Sequence, residues 1–340
     1  MDSLHIHAMK LHVAVERWPL IKPFRITGHT SYETIVVLVT LEKEGQVGRG
    51  EAVGVHYRND TPESARAAIE ALRATIETGL SRESLQTLLP PGGARNALES
   101  ALWDLEAKLI GRPAWSLAGL QNPRPLLTTM TCGAETPEEM AATALGYVEA
   151  RAIKLKLTGD AVDAERVRAV RQACPDSWLA VDANQGFTRD GLERLMPTLV
   201  DARVALIEQP FPVGQESLLD GLQSPIPLAA DESAQTSLDI AGLVGRFDVV
   251  NIKLDKCGGL TEGLAMARAA HKAGLRTMVG TMSGTSLGMA PATLVGQLCD
   301  VVDLDGPVFL KADRDNPVQY REGFIVCPQA LWGYPESAGV

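Results

Sequence analysis

The sequence predicts an α/β protein. Residues 122–306 form a (β/α)7β TIM-like barrel, residues 1–121 an α+β capping domain, and residues 307–340 a C-terminal segment that returns to the cap. Three observations predict it. The apolar period is two over the first ~55 residues and then turns helical. From about residue 127, eight short apolar runs alternate with helical segments, as a parallel sheet requires. A polar residue closes each run at Thr131, Lys156, Asp182, Glu208, Asp231, Lys253, Thr281 and Asp303, in steps of 22 to 28 residues, one strand–helix unit each.

The elements follow in order. "LHIHAMKLHVAVE" and "ETIVVLVTLEKEGQVGRGEAV" alternate apolar and polar, so they read as antiparallel strands joined by turns such as "KEGQ". "TPESARAAIEALRATIETGL" opens with a Thr–Pro helix start, and "SRESLQTLLP" and "ARNALESALWDLEAKLIGR" keep helical spacing. The barrel strands are "LLTTMTCG", "AIKLKL", "SWLAVDAN", "VALIEQP", "IPLAADES", "DVVNIKLD", "RTMVGTM" and "VVDLDGP". Helices such as "TPEEMAATALGYVEA", "DAERVRAVRQAC" and "TEGLAMARAAHKAG" separate them. The tail "FLKADRDNPVQYREGFIVCP" reads as a meander.

Composition narrows the function. A net charge of −10 argues against a nucleic-acid surface, and no 18-residue apolar stretch suggests a membrane span. The first residues lack a basic start followed by an apolar block, so no secretory signal is expected. Five scattered cysteines without a CxxC read as reduced thiols in a cytoplasmic protein. No GxGxxG follows a strand and no GxxxxGK[ST] occurs; "KCGGL" reads as a tight turn.

Strand parity then selects the chemistry. Asp182, Glu208 and Asp231 are each the last inward position of a strand, at the mouth where such barrels hold their sites. Three converging carboxylates raise one another's pKa, and a hard cation, Mg²⁺, resolves the conflict. Lys154 and Lys156 share the inward face of one strand, and Lys253 ends another across the carboxylate strands. Beside a like charge and a metal, an ammonium is driven toward the neutral amine, the form a base needs. Lys154 then tunes Lys156 or holds a substrate carboxylate. Two opposed bases around a metal-bound carboxylate remove an α-proton from one face and return it from the other, which inverts the carbon.

The set "KLK", "VDAN", "IEQP", "ADES" and "NIKLDKCGGLTEGLA", with "GGARNALESALWDLEAK", resembles the enolase superfamily in its muconate-lactonising subgroup, over nearly the whole chain. The general use of a lysine or histidine base with Mg²⁺ in that superfamily is established. The resemblance implies Mg²⁺ ligation by Asp182, Glu208 and Asp231 and acid–base roles for Lys156 and Lys253. The dipeptide epimerases of the subgroup carry an acidic pair that binds the dipeptide's α-amino group, which "VVDLDGP" matches with Asp303 and Asp305. The expected reaction is epimerisation at the Cα of a dipeptide's C-terminal residue, through a metal-stabilised enolate. The rivals are a cycloisomerase, an o-succinylbenzoate synthase, an N-acylamino acid racemase and, further off, a non-catalytic metal- or ligand-binding barrel.

Specificity is expected from cap loops 22–34 and 54–64, with Arg25, His29 and His56 as candidates. In the resembling Ala-Glu epimerases an arginine in the first loop holds the glutamate; here Gly28 or His29 stands in its place. Thr131 and the "TMSGTSLGM" loop, with Met282 and Ser283, are expected to line the pocket. Asp255 and Lys256 read as supporting residues beside the base. Self-association is expected as possible for such a barrel.

Overall fold

The computed structural model describes residues 9–335; the part of the first expected strand before residue 9 lies outside them. Strands β1 (Lys10–Ile26), β2 (His29–Lys43) and β3 (Gln46–Ala52) form an antiparallel sheet. Two-residue turns join them. Glu44 and Gly45 both have positive φ (52° and 78°), the twist that matches flanking strands. The first cap loop, 22–34, is not a loop: β1 and β2 stay paired up to Ile26↔His29, around a Thr27–Gly28 turn.

Helices Pro62–Ala71, Arg73–Glu77, Arg82–Leu88 and Gly93–Ile110 accompany this sheet. Thr61 and Ser64 form a capping box with Pro62 at the first helical position. Gly48 and Gly50 admit helix 93–110 onto β3: a Cβ there would lie 2.3 Å from Ala101 O and 2.2 Å from Ala97 O. Val37, Val39, Leu41, Ile69, Leu98 and Leu105 share the apolar core of this unit.

After β4 (Leu126–Leu127), eight strands line up in chain order in one parallel sheet. They are β5 (Thr129–Cys132), β6 (Ala152–Lys156), β7 (Trp178–Asp182), β8 (Val204–Glu208), β9 (Leu228–Ala230), β10 (Val249–Lys253), β11 (Arg276–Gly280) and β12 (Val301–Val302). The parity reading holds. Ile153, Leu155, Val181, Ile207, Val250 and Ile252 belong to the large core shared with the surrounding helices. The inward Ala180, Leu206, Ala229, Val249 and Met278 make a separate small cluster that floors the barrel. No ladder joins β12 to β5. Side chains stitch that seam: Leu304 N donates to Thr128 Oγ1 at 3.0 Å, Thr131 N donates to Asp305 Oδ2 at 2.6 Å, and the Thr129 hydroxyl donates to Asp303.

One helical expectation shortens. The segment after β5 is helical only over Pro137–Gly146, because Tyr147 leaves the helix and its hydroxyl donates to Thr131 O at 2.9 Å. Between β8 and β9 stands a single 3-10 turn, Glu216–Leu219. The C-terminal meander is a hairpin, β13 (Gln319–Arg321) and β14 (Phe324–Val326), whose β14 pairs with β4 in a separate three-stranded antiparallel sheet. Its flanks reach the cap: Arg314 bonds Glu16 and Glu51, each at 2.7 Å, and Trp332 Nε1 donates to Ser100 O at 3.0 Å. Among the described residues no helix is long and apolar enough to cross a membrane.

Candidate active site

The register places the motif residues side by side. Thr131 pairs with Lys154, Lys156 with Asp182, Asp182 with Glu208, and Glu208 with Ala229, two residues before Asp231. Directly after the acids the chain turns sharply, with Asn184, Gln185 and Gln209 at positive φ (41°, 67° and 35°). Asn184 N donates to Asp182 Oδ1 at 2.8 Å, so that turn fixes the carboxylate it follows, and Gln209 Oε1 accepts from the Asp231 backbone N at 2.9 Å, which ties the end of β8 to the segment after β9. All three acids are buried.

Each acid carries an ammonium. Lys156 Nζ lies 2.5 Å from Asp182 Oδ2, Lys253 Nζ lies 2.7 Å from Asp231 Oδ2, and Lys154 Nζ lies 3.3 Å from Glu208 Oε2 and 3.8 Å from Asp182 Oδ2. Lys154 also contacts Asp303. Lys154, expected to tune Lys156 or to hold a substrate carboxylate, is itself paired with acids of the barrel. Burial works against its charge, but Asp303, Glu208 and Asp182 outweigh that and hold it well above the usual lysine range. Asp231, between two lysines, is held well below the usual carboxylate range despite its burial, and Lys253 is raised in return. Glu208 has gone the other way, to about 7, because burial and Asp182 outweigh Lys154.

Three residues that the sequence reading passed over stand in this layer. Asn251, inward by parity two residues before Lys253, donates to Glu208 Oε1 at 2.5 Å; the same period-two rule could have found it. Asn184 and Glu232 follow the acids in "DAN" and "DES". Asn184 Oδ1 and Glu232 Oε2 are buried with no partner. Lys256 is fully buried, with Nζ 2.6 Å from Asp231 Oδ1, 2.5 Å from Asp231 O and 3.0 Å from Asn251 O. Gly280 leaves room for this layer: a Cβ there would lie 2.7 Å from Asn251 Oδ1 and 3.0 Å from Lys253 Cε.

Above the layer lies a cavity of about 390 Å³, within the range of small-molecule sites. Thr131, Lys154, Lys156, Asp231, Lys253, Met282, Ser283, Asp303 and Asp305 line it, together with His29 from the cap. Asp182 and Glu208 lie beneath. Arg25 is exposed and stands outside the lining; its neighbours Phe24 and Ile26 face the cavity, so alternation turns Arg25 away. Thr27 Oγ1, at the hairpin tip, lies 3.0 Å from Leu157 O and 2.9 Å from Ala183 O, which anchors the cap over the barrel mouth. Asp303 is committed to Thr129 and Lys154. Asp305 accepts from Thr131 N and is raised to about 7 by burial and by Asp303.

The arrangement offers two lysines facing one cavity from non-adjacent strands, over three buried carboxylates. Known proteins resemble this chain over nearly its whole length. Residues 8–119 match the mandelate racemase/muconate lactonizing enzyme N-terminal domain, and residues 139–333 match the enolase C-terminal domain-like family. The chain is 39% identical to the L-Ala-D/L-Glu epimerase of Escherichia coli, over 91% of this chain and 96% of that one. It is 37% identical to an N-acetyl-D-glutamate racemase of Pseudoalteromonas, over 88% and 95%. A solved enolase-family structure from Agrobacterium tumefaciens, with bound sodium and L-Ala-L-Glu, superposes with a TM-score of 0.93 at 40% identity, covering 96% of this chain and all of that one. A dipeptide epimerase from Methylococcus capsulatus, in complex with Mg and L-Arg-D-Lys, gives 0.87 at 31% identity, over 94% and 97%. The chain belongs to the enolase superfamily, in its mandelate racemase/muconate lactonizing enzyme branch, and is an isomerase of the racemase and epimerase kind.

Proposed function

We propose that the protein is a Mg²⁺-dependent dipeptide epimerase that inverts the Cα of the C-terminal residue by two-base proton transfer. The observation that carries this reading is the pair Lys156 and Lys253, which reach one cavity from β6 and β10 with the carboxylate strands between them. One lysine takes the α-proton, breaking C–H and forming N–H. The other delivers a proton to the opposite face, and the carbon is inverted with no change of oxidation state.

Asp182, Glu208 and Asp231 would hold the metal. The donor set fits a hard cation: three buried carboxylates whose charge is met only by lysines, with unpartnered oxygens on Asn184 and Glu232 nearby. When bound, Mg²⁺ acidifies the α-proton of a coordinated carboxylate and stabilises the charge that develops. Lys154 holds Asp303 and Glu208 in place. Asp305, which lines the cavity and accepts from Thr131 N, takes the substrate ammonium. Five free cysteines support a reducing, cytoplasmic setting.

A second reading, an N-acylamino acid racemase, is favoured by one observation: both acids of the expected ammonium site already serve the barrel seam. Incubation in D₂O with Mg²⁺ separates the two. Wild-type protein is expected to add one dalton to free-amine dipeptides, and Lys156→Ala and Lys253→Ala to lose epimerisation by about 10²–10⁴-fold or more while remaining folded. Exchange confined to N-acetyl amino acids would move the assignment to the racemase. Full activity in both lysine variants would sink the two-base mechanism.

A further inference from the structure

We propose that Glu51 is a positioning residue of this enzyme: from the cap, outside the cavity, it holds the Thr281–Gly284 loop in the shape that meets substrate. The inference rests on reading that cavity as the epimerase site. Thr281, Met282 and Ser283 line the cavity; they follow β11 and precede the helix Ser286–Gly296. The loop has an uncommon backbone, with φ of 81° at Ser283 and 115° at Gly284. A residue with a side chain keeps such a conformation only where its surroundings fix it.

Part of that fixing is local. Thr281 Oγ1 donates to Ser283 O at 2.6 Å. Gly306, directly after Asp305, lets the two segments touch: a Cβ there would lie 3.1 Å from Ser283 Cα. The rest comes from the cap. Glu51, the next-to-last residue of β3, is buried and reaches Thr285 at the foot of the loop. Its Oε1 accepts from Thr285 N at 2.7 Å and its Oε2 from Thr285 Oγ1 at 2.5 Å. Gly284 and Gly288 make room for it: a Cβ on them would lie 3.3 Å and 3.1 Å from Glu51 Oε1. Arg314 completes the clasp, with Nη2 2.7 Å from Glu51 Oε2 and Nε 3.0 Å from Thr285 Oγ1.

Charge and geometry both suit a brace. The N-terminus of a helix favours a carboxylate, and here the carboxylate comes from the cap, 234 positions away in the chain. Arg314 keeps that buried charge compensated. The same strand end is bolted a second time, since Val53 N and Gly54 N donate to Asp255, two residues after Lys253. The end of β3 thus ties the substrate loop to the strand that carries a base. The partners of Glu51 are Thr285 and Arg314, not the lysines or acids of the site, so its loss should act on substrate binding.

Amide hydrogen exchange, dipeptide epimerisation kinetics and Mg²⁺ titration are compared in wild type, Glu51→Gln, Thr285→Val and Thr285→Ser. Glutamine keeps the shape of Glu51 but cannot accept from both Thr285 groups while facing Arg314. In Glu51→Gln and Thr285→Val, exchange over residues 281–289 should quicken and KM should rise, each by about tenfold, with kcat held within about threefold and Mg²⁺ affinity unchanged. Thr285→Ser restores the hydroxyl and should restore both. Unchanged exchange over 281–289, an unchanged KM in both variants, a parallel loss of Mg²⁺ affinity, or a serine variant as poor as valine would overturn the proposal. If wild type turns over only N-acetylamino acids, the epimerase reading falls, while the same rise in KM on those substrates upholds the role of Glu51 and its absence overturns it.

Discussion

Lys256→Met is the sharpest test of how the site is held. The wild-type ammonium is fully buried and places one proton on each of three acceptors: Asp231 Oδ1, Asp231 O and Asn251 O. Methionine keeps the length of the chain and removes the charge. Asp231 keeps Lys253 at 2.7 Å, but losing one of its two buried ammonium partners, and with it the donor to two carbonyls, is expected to cost about 3–5 kcal/mol, the range for breaking a buried ion pair. For 340 residues the unfolding entropy is about 0.7 kcal/mol per degree, so the melting temperature should fall by about 4–7 °C. Differential scanning calorimetry reads this directly. A double-mutant cycle with Asp231→Asn should return a coupling above about 1 kcal/mol, since the two groups are in contact. Epimerisation should fall as well, because Asp231 loses the group that orients it. A shift below about 1 °C, or an additive cycle, would refute the claim that Lys256 carries Asp231.

Three further outcomes are expected. Asp255 accepts from Val53 N and Gly54 N, both at 2.8 Å, and burial lifts it to about 7 from an unfolded value near 3.8. A raised carboxyl binds its proton more tightly in the folded state, so it withdraws stability as pH rises from about 4 to 7; Asp255→Asn should gain on wild type across that window, by at most about 4 kcal/mol at pH 8, read as melting temperatures at pH 5 and pH 8. Gly280→Ala forces a methyl against Asn251 and Lys253 and should cost about 1–3 kcal/mol together with most of the activity, seen in parallel melts and assays. Saturating Mg²⁺ at about 100 times its Kd should stabilise wild type by about 2.7 kcal/mol, near 4 °C, and Asp182→Asn should abolish that shift in a thermal melt.

The legible part of the site rested on local rules. Alternation in "WLAVD" makes Asp182 the last inward residue of β7, and the same count reaches Glu208, Lys156 and Lys253 without any knowledge of partners. It would also have reached Asn251, which was missed because asparagine in a strand carries no charge to notice. Lys154 shows where such rules stop. Its neighbour at Lys156 suggested repulsion, but its principal partner is Asp303, 149 positions away and across the barrel seam. The helix after β5 ends early for a similar reason: Tyr147 finds an acceptor on a strand that helical propensity does not know about.

What the order of residues settles here is periodic: strand faces, the spacing of units, and the end of each strand where a charged side chain arrives. These depend on φ, ψ geometry within a few residues. What closure of the chain settles is pairwise. It joins Asp303 to Lys154, Asp255 to the cap at Val53 and Gly54, and His29 to His56, and it turns Arg25 away by one strand position. Those pairings decide which charges are compensated and which donors stay free. They depend on distances between segments far apart in sequence, set only when the cap docks on the barrel and the seam between β12 and β5 is stitched.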